Sequence, residues 1–130
     1  GHMYSLTLET GEPIWHVKLG TQIRSSASVF NQRVVVGCVD GRIVCLSAAD
    51  GDPVWSVQSA EEVLASPAIA GTAVYIGSKD GALYALSLEA GEVLWRHQTA
   101  YGVYSSPAIA DNILYVGLDY YNVTALVSAD

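Results

Sequence analysis

Few side chains in this sequence are able to do chemistry, and their spacing limits what chemistry is open to them. His16 and His97 each lie close to a tryptophan, Trp15 or Trp95, in apolar segments expected to be outer strands. Neither has a nucleophile or carboxylate placed to make it a general base, so both read as surface or packing histidines. No serine-nucleophile motif, phosphate-cradling glycine loop or His-x-x-x-His pair occurs. Asp111, Asp119, Glu61 and Glu62 could touch a cation, but their spacing fits no calcium loop, and they read as solvated loop charges. Cys38 and Cys45 lack zinc spacing and are too few for a disulfide framework. They flank Asp40-Gly41, and a two-residue turn there would set Cys38 opposite Ile43 and Cys45 opposite Val36. The thiols would then share a face diagonally, which is poor disulfide geometry, so both are expected to be small buried hydrophobes. Asn122-Val123-Thr124 fits a glycosylation sequon but falls in an expected strand.

The elements that must carry these residues are set by a period. Trp15, Trp55 and Trp95 are spaced by 40, as are Gly11, Gly51 and Gly91; Gly37, Gly77 and Gly117; and Ser26, Ser66 and Ser106. Leu6, Leu46, Leu86 and Leu126 extend the ladder to a fourth rung, and no gap is needed anywhere. Residues 51–90 and 91–130 share 14 of 40 positions, enough to establish tandem repetition and hence a solenoid, propeller or array. Composition agrees with a packed core: 51% of residues are hydrophobic and 15% charged. The formal charge of −7 argues against nucleic acid and anionic membrane surfaces as partners, since both need a basic face. No apolar run is long enough to span a bilayer. Gly1-His2-Met3 reads as a cloning remnant, which puts the domain at 4–130, three tandem repeats of a partial propeller.

The unit is all-β. Within the second copy, Val63–Ala70, Ala73–Gly77, Leu83–Leu88 and Val93–Gln98 read as four strands, a to d, with turn signals at Asp80-Gly81 and Glu89-Ala90-Gly91. Val34-Val35-Val36, Val74-Tyr75-Ile76 and Leu114-Tyr115-Val116 are continuous apolar triplets, the pattern of strands covered on both faces. Four-stranded antiparallel sheets stacked face to face at 40 residues each are propeller blades. Gly11, Gly51 and Gly91 are expected at turns with no room for a side chain, and each Trp as an apolar plate between blades whose N–H needs one acceptor.

These stretches resemble the pyrroloquinoline-quinone-type, or quinoprotein-like, propeller repeat. The matching residues are Ser5-x-Thr7-x-x-Thr10-Gly11-x-x-x-Trp15, Cys45-x-Ser47-x-x-Asp50-Gly51-x-x-x-Trp55 and Ala85-x-Ser87-x-x-Ala90-Gly91-x-x-x-Trp95, with Ser105–Ala108 and Gly77–Gly81 in support. The family's Asp is replaced by Thr7, Ser47 and Ser87, whose hydroxyls bond a turn N–H more weakly. The resemblance implies that Trp15, Trp55 and Trp95 dock blade on blade. It does not bring an active site with it: the adjacent-cysteine disulfide, calcium site and catalytic Asp of quinoprotein dehydrogenases have no matching residues here.

Strand counting gives c and d at residues 4–8 and 13–18, full blades near 23–58 and 63–98, and a, b and c near 103–127. About three blades cannot close a ring of four to eight. Two readings remain: a piece of a longer propeller, or head-to-tail assembly in which strand d of one chain completes the last blade of another. The repeat breaks where Asp-Gly becomes Tyr120-Tyr121, and Tyr101 and Tyr104 fall on the neighbouring d-to-a connection. These four tyrosines are expected on one rim, either as a contact for a protein or carbohydrate partner or as packing against an adjoining blade. The functional expectation is a non-catalytic scaffold that needs no cofactor and binds a protein partner through its loop faces. The resemblance implies three settings: a periplasmic assembly lipoprotein, an accessory propeller of a kinase or adenylate-forming enzyme, or a slice of a quinone-dependent dehydrogenase. It tilts localisation towards the periplasm.

Overall fold

The computed structural model describes the backbone of residues 1–118 and 122–127 and the side chains of residues 1–118. The described chain is all-β. It comprises a two-stranded half-blade, two complete four-stranded blades and a three-stranded sheet. The half-blade is β1 (His2–Leu6) and β2 (Pro13–Lys18). The first blade is β3 (Ser28–Phe30), β4 (Arg33–Gly37), β5 (Arg42–Ser47) and β6 (Pro53–Gln58). The second is β7 (Ala68–Ala70), β8 (Ala73–Gly77), β9 (Ala82–Ser87) and β10 (Val93–Gln98). The last sheet is β11 (Ala108–Ala110), β12 (Ile113–Leu118) and β13 (Asn122–Val127). Every pairing is antiparallel and between consecutive strands, the meander that short turns permit. β1 begins at His2, and Met3 packs into the first seam between blades.

The apolar triplets are explained by the stacking. β8 is buried along its whole length because both faces meet another sheet. Val74 and Ile76 face the first blade, while Ala73 and Tyr75 face the third sheet. The core is therefore three seams rather than one centre. Val34, Val36, Val44 and Leu46 lie against Met3, Trp15 and Val17. Val35, Ile43 and Cys45 lie against Val74, Ile76, Tyr84 and Leu86. Tyr75, Leu83 and Ala85 lie against Val103, Leu114 and Val116. Each fully buried Leu, Ile or Val contributes about 1.5–3 kcal/mol, so the seams carry the stability.

Two local expectations are corrected. The inner strand of the second blade is Ala68–Ala70 rather than Val63–Ala70. Before Pro67 the backbone bonds outward instead of into the sheet: Val63 N–H reaches the Cys38 carbonyl of the first blade. The Asp40-Gly41 hairpin is not a two-residue type I′ turn. Gly41 alone has positive φ (+91°), Gly41 N–H donates to the Cys38 carbonyl and Cys38 N–H to the Arg42 carbonyl. This is a three-residue loop, Val39-Asp40-Gly41, closed by a glycine bulge. Two-residue turns with both central residues at positive φ occur at Asn31-Gln32 and Asp111-Asn112 instead.

The loop change shifts the register by one residue, pairing Cys45 with Val35 rather than Val36. A one-residue shift moves a side chain to the opposite face of the sheet. Cys38 accordingly lies in the seam with the half-blade and Cys45 in the seam with the second blade. Both thiols are free and buried, as expected, but they share no face.

Candidate functional site

Blade docking is built from the c-to-d turn and the following outer strand. The turn starts at Ser47, whose carbonyl accepts from Gly51 N–H while its own N–H donates to the Asp52 carbonyl. Closing so tightly requires the positive φ of +79° at Gly51. The Trp15 ring of the preceding half-blade then lies directly on that glycine, where an added Cβ would come within 2.6 Å of Trp15 Cε3. Trp15 Nε1–H donates to the Ala48 carbonyl at 2.9 Å. One repeat later, Trp55 Nε1–H donates to the Leu88 carbonyl at 2.8 Å, and Gly91 lies against the Trp55 ring. Trp95 packs into the seam with the last sheet, its ring 5.9 Å from that of Tyr75. Gly11 has the same backbone conformation, φ +74°, with nothing within 4 Å of a Cβ.

A second connection runs along the inner strands. Ser26 N–H donates to Ser66 Oγ at 2.7 Å and Ser66 N–H to Ser106 Oγ at 3.2 Å. The spacing of these serines is visible in the sequence, but their role as blade-to-blade acceptors is not. Nor is the bridge by Ser105 Oγ, which spans the N–H and C=O of Gly117 as Ser25 Oγ does those of Gly37. The glycines at 37 and 77 admit the next connection: a Cβ would strike Val63 in one case and Val103 in the other.

The d-to-a connections and b-to-c turns share one rim. Ser59 Oγ donates to the Gly41 carbonyl and Thr99 Oγ1 to the Gly81 carbonyl, both at 2.9 Å. Lys79 N–H donates to the Glu62 carbonyl, and Val103 N–H to that of Ser78. These bonds hold the segment that carries Tyr101 and Tyr104. Thr99 Oγ1 also bonds the Tyr101 carbonyl at 2.6 Å. The Tyr104 ring lies over Gly102, where a Cβ would come within 2.8 Å of its Cε2. Tyr101 and Tyr104 are 39% and 40% exposed, large apolar plates on a hydrogen-bonded support. Tyr120 and Tyr121 lie outside the described residues. The rim is acidic, with Asp40, Glu61, Glu62 and Asp80 set against Arg42 and Lys79. Lys79 pairs with Glu62 at 3.6 Å, and Arg42 with Asp40 at 2.8 Å.

The other candidate side chains are dispersed. His16 stacks on Tyr4 at 5.5 Å on the half-blade, while His97 stands on the exposed outer strand of the second blade. Arg96 Cζ lies 5.6 Å from the Tyr84 ring centre, a contact the repeat pattern does not announce. Burial pushes the Cys45 thiol up to about 11; burial, then the Asp40 carboxylate, raises that of Cys38. Both thiols therefore stay protonated at neutral pH and act as packing groups. Among the described residues, no three His, Cys, Asp or Glu side chains converge as metal ligands. No described helix is long and apolar enough to cross a membrane.

The sequence matches the family described as outer membrane protein assembly factor BamB over residues 1–130. Among solved structures, BamB from Moraxella catarrhalis superposes with a TM-score of 0.88 at 24% identity, over 98% of this chain and 40% of that one. Quinohemoprotein alcohol dehydrogenase ADHIIG from Pseudomonas putida gives 0.79 at 20% identity, over 88% of this chain and 25% of that one. Quinohemoprotein alcohol dehydrogenase from Comamonas testosteroni gives 0.80 at 19% identity, over 90% and 26%. The chain thus spans well under half the length of each of these structures, and at such identities the likeness is one of fold. No curated protein sequence matches it.

Proposed function

Because the chain belongs to the outer membrane protein assembly factor BamB family, we propose that it is a non-catalytic β-propeller scaffold that holds a protein partner on the rim formed by its b-to-c turns and d-to-a connections. The observation that carries this reading is the pair Tyr101 and Tyr104, both about two-fifths exposed, on a segment fixed by Thr99 and Gly102. Rigid, half-exposed aromatics lose little entropy on binding and are enriched at the centres of protein interfaces. The surrounding carboxylates favour a partner segment with basic flanks, which the acidic rim would steer and orient. The family description favours a location outside the cytoplasm.

The test is selection of peptides from a displayed random library against the 130-residue chain, followed by mapping of amide shifts. Binders should perturb residues 99–104, and Tyr101→Ala with Tyr104→Ala should weaken them at least tenfold. Binders that map to the outer strands and ignore both substitutions would refute the rim as the site. The enzyme alternative is separated by adding pyrroloquinoline quinone and Ca²⁺ with an alcohol and a redox dye. Dye reduction above the protein-free rate would refute a purely binding role.

A further inference from the structure

Positions 101 and 104 of the repeat stay at the surface when sheets stand on both sides of them. Glu61, one repeat before Tyr101, and Arg24, two repeats before Tyr104, are exposed between flanking sheets, and Leu64 is partly so. The Tyr104 ring lies over Gly102 within its own connection.

The chain itself occupies the main-chain acceptors beneath these tyrosines. Gln98 Nε2–H donates to the carbonyls of Asp80 and Thr99, and Thr99 Oγ1 lies within hydrogen-bond distance of those of Gly81 and Tyr101. The Ser78 carbonyl accepts from the N–H groups of Gly81 and Val103. A peptide laid here finds no ladder of free acceptors, so strand addition is closed to it. An amphipathic helix needs no ladder but needs an apolar groove, and the neighbouring rim residues are Glu61, Glu62, Lys79 and Asp80. A polyproline II segment meets neither obstacle. Its backbone is extended and remains solvated, and its rings lie flat on aromatic plates.

Charge adds a second requirement. Lys79 links the two connections: its N–H donates to the Glu62 carbonyl, and its own carbonyl lies 3.0 Å from a Cβ built at Gly102. The acidic connection and the tyrosine segment are thus two chain spacings apart, about 10 Å. Lys79 Nζ is taken by Glu62. Among the described residues no cation pairs with Glu61 or with Asp80, whose carboxylate accepts from the N–H groups of Ala60 and Ala82. A polyproline II helix advances about 9 Å in three residues, so a segment seated on the tyrosines brings a basic residue at its end within reach of these two carboxylates.

Resting on the rim reading above, we propose that the partner presents a proline-rich segment in the polyproline II conformation with a basic residue at one end. Its prolines lie on Tyr101 and Tyr104, and the basic side chain is held by the Glu61 and Asp80 carboxylates.

The experiment is a titration of the 130-residue chain at low salt, followed by amide shifts, with the synthetic peptides RPPLPPR, RAALAAR and EPPLPPE. RPPLPPR should shift residues 99–104. RAALAAR, with the same charge but no polyproline preference, and EPPLPPE, with the charge reversed, should each bind weaker by about fivefold or more. Glu61→Arg and Tyr101→Ala, both at exposed positions that leave the fold intact, should weaken RPPLPPR by a similar factor. RAALAAR binding equally well at residues 99–104 would overturn the polyproline assignment and leave the rim reading standing. Equal binding of EPPLPPE, or no effect of Glu61→Arg, would overturn the basic residue. If RPPLPPR shifts nothing at residues 99–104, this inference falls, and the library selection decides separately whether the rim binds a partner at all.

Discussion

Gly51→Ala is a sharp test of the blade-docking lock, because the structure supplies its own control. Gly51 and Gly11 hold the same turn position in successive repeats, with φ of +79° and +74°. An alanine at either position bears the strain of a left-handed backbone, about 1–2 kcal/mol. At Gly11 that is the whole expected effect, since no atom lies within 4 Å of the new methyl. At Gly51 the methyl would sit 2.6 Å from Trp15 Cε3 and 2.8 Å from Cδ2. The indole is held by its bond to the Ala48 carbonyl, so relief requires moving the ring, breaking that bond or separating the blades. Overpacking of this kind adds about 1–3 kcal/mol. Gly51→Ala should therefore destabilise by about 2–5 kcal/mol and Gly11→Ala by about 1–2. The assay is urea unfolding followed by far-ultraviolet dichroism. Tryptophan emission of the folded Gly51→Ala protein should also shift to the red as Trp15 is pushed outward. Equal losses at the two glycines would refute the argument, because the turn conformation alone would then account for both.

Trp55→Phe retains most of the apolar plate but removes the donor to the Leu88 carbonyl, and should lower stability by about 1–3 kcal/mol in the same assay. Ser66→Ala deletes the acceptor for Ser26 N–H and should cost about 0.5–1.5 kcal/mol, read most directly as faster hydrogen exchange at Ser26. The Cys45 thiol ionises near 9 when unfolded and near 11 when folded. The unfolded chain therefore loses its proton first as pH rises, and stability that is full below pH 9 should fall between 9 and about 11. Cys45→Ala should flatten that fall in unfolding midpoints measured across the window, apart from the shallower contribution of Cys38.

The repeat alone makes the blade architecture legible in the sequence. Tryptophans at a spacing of 40 announce plates between sheets, each needing one acceptor, and the indoles of Trp15 and Trp55 both bond to the turn of the next blade. Register is not legible at Asp40-Gly41. Strand register is normally read from alternation of apolar and polar side chains, but Val34-Val35-Val36 and Val44-Cys45-Leu46 are apolar on both faces because both faces are covered. With no polar face to place, a two-residue turn and a three-residue loop with a glycine bulge suit the sequence equally, and the backbone takes the second. The expectation of both cysteines on one face fails for that reason alone. Tyr101 and Tyr104 stand out because they break the repeat, and the structure sets both on the rim. Their support by Thr99 Oγ1 repeats that of the preceding connection by Ser59 Oγ, whereas the packing of Tyr104 on Gly102 has no counterpart one repeat earlier and so no period reveals it.

One consequence of the indole lock reaches past this chain. Since donor and acceptor recur at the same offset from Trp15 to Ala48 and from Trp55 to Leu88, one such module stacks on the next by the same contact. Duplicating or deleting forty residues in the gene would then add or remove one blade without inventing a new contact, leaving loop sequences free to diverge.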